Sequence, residues 1–185
     1  YHGIAFSDEG KIIGWDGRQT LVKSSYDGDR EAWVPGIWNV EQIALDAHGD
    51  LFIVKSDEGA VYRITPDGGT SLVANGLYWA YGVMFGPDGN LYVSDGNVWR
   101  IDPETGEKTL MVEMPPNEAW LAHDVNFSLD STTLYIGTVG QGELLQLPLD
   151  HNLDPAGDVS VFTMLPGGWM DNIAVDACGN LWVPE

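Results

Sequence analysis

The chain has 185 residues, 44% apolar and 19% charged, enough for one domain with a sizeable core. Eight Lys and Arg against 28 Asp and Glu give a formal charge of −20, and such a surface repels phosphate backbones and anionic lipid, which argues against nucleic acid and membrane as partners. A single cysteine, Cys178 in the turn "DACGN", excludes an internal disulfide framework, and no apolar run approaches the length that spans a bilayer.

Taken in chain order, the predicted elements repeat. "HGIAFSDEGKIIGW" reads as an apolar strand, an Asp/Gly turn and a second strand, followed by strands in "TLVKSS" and "REAWVPG". The same quartet returns as "EQIALDAHGDLFIV", "AVYRITP" and "TSLVANG", then as "YGVMFGPDGNLYVS", "NVWRIDP" and "KTLMVEMPP". It returns once more as "HDVNFSLDSTTLYIG", "ELLQLPL" and "VSVFTMLPGG", and "DNIAVDACGNLWVP" begins a fifth round. The rounds open at His2, Glu41, Tyr81, His123 and Asp171, about 40 residues apart, with a longer last step where "LPLDHNLDPAGDVS" carries a larger loop. No stretch shows sustained helical periodicity.

Four antiparallel strands recurring at this period are the pattern of a β-propeller blade. The expectation is an all-β chain with four blades, near 1–38, 39–79, 80–120 and 121–169, and half of a fifth at 170–185. It reads as part of a six-bladed propeller whose remaining blades come from the same parent chain or from a partner chain, since an open strand edge would otherwise invite aggregation. The compartment stays open.

In such a fold the innermost strands line a channel, and the residue ahead of each comes off a loop at one mouth. His2, Glu41, Tyr81, His123 and Asp171 are therefore expected to converge, with Gly3, Gln42, Gly82, Asp124 and Asn172 as a second ring. Four of the five leading residues can ligate a metal, and facing carboxylates and imidazoles call for a compensating charge. Glu41, Asp124, Asp171 and Asn172 suit calcium or magnesium; the imidazoles suit zinc, manganese or iron. The bland alternative is a structural hydrogen-bonded hub. Trp38, Trp79, Trp120 and Trp169 each precede a leading residue by two or three positions and, with Tyr81 and Tyr78, form either an aromatic collar for a ligand or packing between blades. The run "SDEG" at 56–59 lacks calcium-loop spacing, and neither a phosphate loop nor a G-x-S-x-G elbow is present.

"AHDVNFSLDSTTLYIG" followed by "WMDNIAVDACGNLWV" resembles the senescence-marker-protein/gluconolactonase family of six-bladed propellers, and the Asp171-Asn172 opening is also similar to the paraoxonase arylesterases. The resemblance implies one divalent ion on the axis, usually calcium, with lactone or ester hydrolysis beside it. It implies Asp171 as a ligand and, from the paraoxonases, Asn172. The family's Glu and Asn slots hold His2 and His123 here, and Tyr81 stands at another slot that often carries Asn. The resulting expectation is a metal-dependent hydrolase acting on a small lactone or ester. Asp171 and Asn172 would hold the ion, Asp124 or His123 would complete the shell, and the remaining imidazole (His2 or His123) or Glu41 would act as general base. A non-enzymatic propeller that binds a small ligand or a partner protein is the alternative.

Overall fold

The computed structural model describes residues 3–115, 120–140, 142–166, 168 and 170–184. His2 and Trp169 lie outside them. Each round of the sequence folds into one antiparallel sheet with its strands in chain order. The first sheet contains β1 (Ile4–Phe6), β2 (Ile12–Trp15), β3 (Thr20–Ser24) and β4 (Arg30–Pro35). The second contains β5 (Val40–Leu45), β6 (Leu51–Lys55), β7 (Ala60–Ile64) and β8 (Thr70–Ala74). The third contains β9 (Gly82–Phe85), β10 (Leu91–Ser94), β11 (Val98–Ile101) and β12 (Lys108–Val112), and the fourth β13 (Trp120–Phe127), β14 (Thr133–Gly140), β15 (Glu143–Pro148) and β16 (Ser160–Met164). A two-stranded sheet of β17 (Ala174–Val175) and β18 (Leu181–Trp182) follows. The architecture is that of a partial β-propeller, as the repeat predicts.

The core sits between blades. Ala5, Ile13 and Leu21 of the first blade pack with Ile43, Ile53 and Ile64 of the second. Phe52, Val54 and Val61 pack with Val83, Leu91 and Val93 of the third, where the Phe52 and Phe85 rings meet edge to face at 5.1 Å. Tyr92 and Val98 continue into Val125, Leu134 and Ile136 of the fourth. A second strand covered on both faces has no polar side to alternate, so β6 reads "LFIVK" and is buried throughout. The outermost strand β8 meets solvent and reads "TSLVA". Ile4 and Phe6 on β1 and Trp182 on β18 remain exposed.

The turns are fixed by aspartates whose carboxylates replace missing backbone partners. Asp46 Oδ1 accepts the N–H groups of His48 and Asp50, and Asp150 and Asp176 repeat the arrangement in later blades. This explains the recurrent Asp/Gly signal and leaves His48 exposed in its turn. His151 is exposed as well.

Candidate functional site

The innermost strands bring four of the five leading residues together. Glu41, Tyr81, His123 and Asp171, joined by Gln42 and Asn172, line a cavity of about 70 Å³. The fifth position, His2, is outside the described residues, but its neighbour Gly3 reaches the same hub: Gly3 N–H donates to Glu41 O at 3.2 Å. A Cβ on Gly3 would lie 2.9 Å from Gln42 Cγ.

Two of these residues are presented differently from the expectation. Glu41 and His123 do not come off loops; they lie inside β5 and β13. In both strands the pairing register shifts at these residues, between Val40 and Ile43 and between Ala122 and Asp124. A bulge leaves an extra residue out of the ladder and turns its side chain away from the regular alternation. Trp120 likewise belongs to β13 rather than to a loop.

His123 is the centre of the arrangement. Its ring stacks on Tyr81, with centroids 4.6 Å apart and planes 25° from parallel. Its carbonyl accepts the Ser94 hydroxyl at 2.6 Å, and Ser94 Oγ in turn accepts Gly82 N–H at 2.9 Å. A Cβ at Gly82 would come within 2.9 Å of Ser94 Oγ, His123 O and Asp124 Oδ1, so only glycine allows this approach. Burial pushes the imidazole below its ordinary pKa, against the opposing pull of the Asp171 and Glu41 carboxylates. The ring is therefore neutral at pH 7. Its Nδ1 is buried without a hydrogen-bond partner among the described residues.

The second ring is a hydrogen-bonded hub. Gln42 Oε1 accepts Val83 N–H at 2.6 Å, and Gln42 Nε2 donates to Asn172 Oδ1 at 3.0 Å. Asp124 is 2% exposed, and its Oδ2 accepts Ile173 N–H at 2.7 Å. Burial raises its pKa to about 7, while the Ile173 and Val125 N–H groups and Gln42 act in the opposite direction. Asp124 thus holds the fourth blade to the fifth sheet, whereas Asp171 lies on the cavity wall.

Glu41 Oε1 accepts the Ser56 hydroxyl at 2.6 Å. Among the described residues no group of three or more His, Cys, Asp and Glu side chains is arranged to hold a metal ion. The hard oxygen atoms on the cavity lining come from the Asp171 and Glu41 carboxylates and the Asn172 amide. That oxygen chemistry fits calcium or magnesium better than a soft metal. Of the four tryptophans expected to form the collar, the two whose side chains are described, Trp38 and Trp79, are 52% and 51% exposed. Trp79 lies 6.2 Å from Tyr81, which places it at the rim; Trp38 does not reach this cavity. Ser56 and Ser94 gave no signal in the sequence, because an isolated serine has no spacing that marks it.

No family model and no curated protein matches the sequence. Solved structures do match. A gluconolactonase from Xanthomonas campestris superposes with a TM-score of 0.84 at 20% identity, over 98% of this chain and 68% of the other. A calcium-binding protein, regucalcin, from Agrobacterium tumefaciens gives 0.77 at 18% identity, over 98% and 66%. Virginiamycin B lyase from Staphylococcus aureus gives 0.75 at 18% identity, and this chain spans only 61% of its length. The senescence-marker-protein/gluconolactonase resemblance in the sequence thus reappears in the structure, and at this level of identity what the chain shares with all three is the β-propeller fold.

Proposed function

We propose that the protein is a metal-dependent hydrolase of lactones or related esters, with Glu41, Asp171 and Asn172 as the residues that would hold the ion. The observation that carries the reading is a neutral, buried imidazole, His123, placed beside two carboxylates and an amide oxygen in one cavity. A divalent ion bound there, calcium first by the chemistry of its ligands, would supply a Lewis acid for the substrate carbonyl and an electrostatic partner for its developing negative charge. The likeness to a gluconolactonase and to a calcium-binding propeller supports the same reading.

The chain's own part is proton handling and orientation. His123, through the ring nitrogen that meets the cavity, accepts a proton from the attacking water as the water oxygen bonds to the carbonyl carbon. The same proton then passes to the leaving alkoxide as the ring or ester C–O bond breaks, which returns the imidazole to its neutral form. Tyr81 covers one face of the imidazole and restricts its rotation. The cavity of about 70 Å³ admits a few waters or a reacting carbonyl, so the rest of a substrate must lie outside it. The exposed Ile4, Phe6 and Trp182 mark faces that further blades, from the same parent chain or a partner chain, would cover to complete the ring around this site.

A binding scaffold is the second reading, favoured by the hydrogen bonds that already engage Gln42, Asn172 and Glu41. Elemental analysis and lactone turnover of the full-length protein separate the two. The hydrolase reading expects about one equivalent of a divalent ion, lost in Asp171→Ala together with about a hundredfold or more of turnover. Retained metal and turnover in that variant would overturn the assignment.

A further inference from the structure

A larger cavity, of about 350 Å³, lies nearby: Trp79 lines it, and the Trp79 ring stands 6.2 Å from Tyr81 of the first cavity. One wall is the acidic turn at residues 56–59, and the other is the segment 77–79. Ser56 connects the two, since it lines the larger cavity while its hydroxyl donates to Glu41, which lines the smaller one. The sequence marked the acidic run only by its failure to match a calcium loop; the structure sets it opposite an aromatic pair.

The walls are held firmly. Leu77 N–H donates to Gly59 O at 3.0 Å. Gly59 has φ 56°, and a Cβ there would lie 2.0 Å from Leu77 O. Tyr78 N–H donates at 2.9 Å to Asp95, whose side chain is buried and also accepts Trp99 Nε1 at 2.8 Å. On this anchored backbone the Tyr78 and Trp79 rings stand 6.4 Å apart, inclined at 32°, and are 74% and 51% exposed. Their exposure is notable next to a closed, hydrogen-bonded hub.

The charge is one-sided. Asp57 and Glu58 line the cavity, and among the described residues no Lys or Arg does. Lys55, next to this turn in the chain, is committed to an ion pair with Glu58, which also accepts the Tyr62 hydroxyl at 2.5 Å. An anion would be repelled here, most of all in a chain of formal charge −20. A neutral apolar ligand would leave the carboxylates without purpose. Aromatic faces beside a carboxylate are complementary to a cation that carries hydrocarbon substituents.

We propose that this cavity binds an organic cation, an alkylated ammonium group, with its charge beside Asp57 and its substituents against Tyr78 and Trp79. As an assignment of substrate class it rests on the hydrolase reading and means that the ester's non-reacting part is cationic. The binding itself does not depend on that reading.

Calorimetric titration of the full-length protein with choline tests it, beside choline's uncharged tert-butyl isostere and glucose. Choline is expected to saturate one site, with the isostere and glucose weaker by about tenfold or more. Asp57→Asn and Tyr78→Ala should each weaken choline by about fivefold or more, with unchanged circular dichroism. Asp171→Ala should leave choline binding intact, so a failed hydrolase assignment and a failed cation site give different results. Equal affinity for the isostere, tighter binding of glucose, choline binding indifferent to both cavity variants, or no saturation would each overturn the proposal.

Discussion

Gln42 and Asn172, 130 residues apart in the chain, are joined by a 3.0 Å hydrogen bond from Nε2 to Oδ1, while the other end of the Gln42 amide accepts Val83 N–H. One side chain therefore ties together the second blade, the third blade and the fifth sheet. Asp124 makes a parallel link from the fourth blade through Ile173 N–H. These side-chain links act alongside backbone contacts between blades at the hub, the Gly96–Ala122 bridge and the Gly3 N–H to Glu41 O hydrogen bond.

Replacing Gln42 by Leu leaves Val83 N–H and the Asn172 amide without partners at a half-buried site. The expected loss is about 2 kcal/mol of stability. Urea unfolding measures it, and amide exchange at Val83 should accelerate beyond that of its strand neighbours.

The pH dependence of stability carries the signature of Asp124. Its folded pKa of about 7 lies above the ordinary carboxylate value of about 3.9, so the folded state binds the extra proton between them. Stability contributed by this group is full below the lower value and is lost as pH rises through the higher one. His123 acts in the opposite sense: its pKa is depressed, so its contribution is lost as pH falls below about 6.5. In protein stripped of divalent ions by a chelator, Asp124→Asn should make stability fall less, or rise, between about pH 4 and pH 7. Unchanged curves for wild type and variant would contradict the buried-acid account.

A neutral His123 acting as base predicts an acid limb in the pH profile of lactone turnover, with its midpoint below the ordinary histidine value. His123→Gln keeps the size and polarity but not the basicity. It should reduce kcat by about a hundredfold or more and abolish that limb, with KM changed much less. A variant that keeps the limb would assign it to another group.

The glycines separate two kinds of constraint. Gly59→Ala meets both a positive φ and the Leu77 carbonyl, whereas Gly17→Ala, at φ 75°, has open space around the new Cβ. Thermal unfolding should show about 1 kcal/mol lost at Gly17 and clearly more at Gly59. Choline binding should suffer only in the Gly59 variant, because only there must the cavity wall move.

The all-β repeat was legible in the sequence because strand alternation and Asp-fixed turns are local. "DAHGD" and "DACGN" form their turns through contacts four residues long, whatever the rest of the chain does. Four of the five leading positions, Glu41, Tyr81, His123 and Asp171, were legible for the same reason: equal repeats place equivalent residues at equivalent points around one axis. What each of those residues does there was not legible. Glu41 and His123 are turned by bulges that no residue type announces. Asp124 and Asp171 read alike as candidate ligands, yet one is sealed against Ile173 N–H and the other lines the cavity. The acidic turn at residues 56–59 and Tyr78 are about twenty positions apart, and only the closure of one loop on another makes them two walls of a single cavity.

The sequence by itself therefore determined the blade, its strand order and the set of residues at the hub, because periodicity and turn chemistry act over a few residues. The tertiary structure decided burial, and with it which acid keeps its proton, which imidazole stays neutral and which aromatic rings meet solvent. Those properties depend on what neighbouring blades bring to the same point, and desolvation and packing are set by that three-dimensional company rather than by position along the chain.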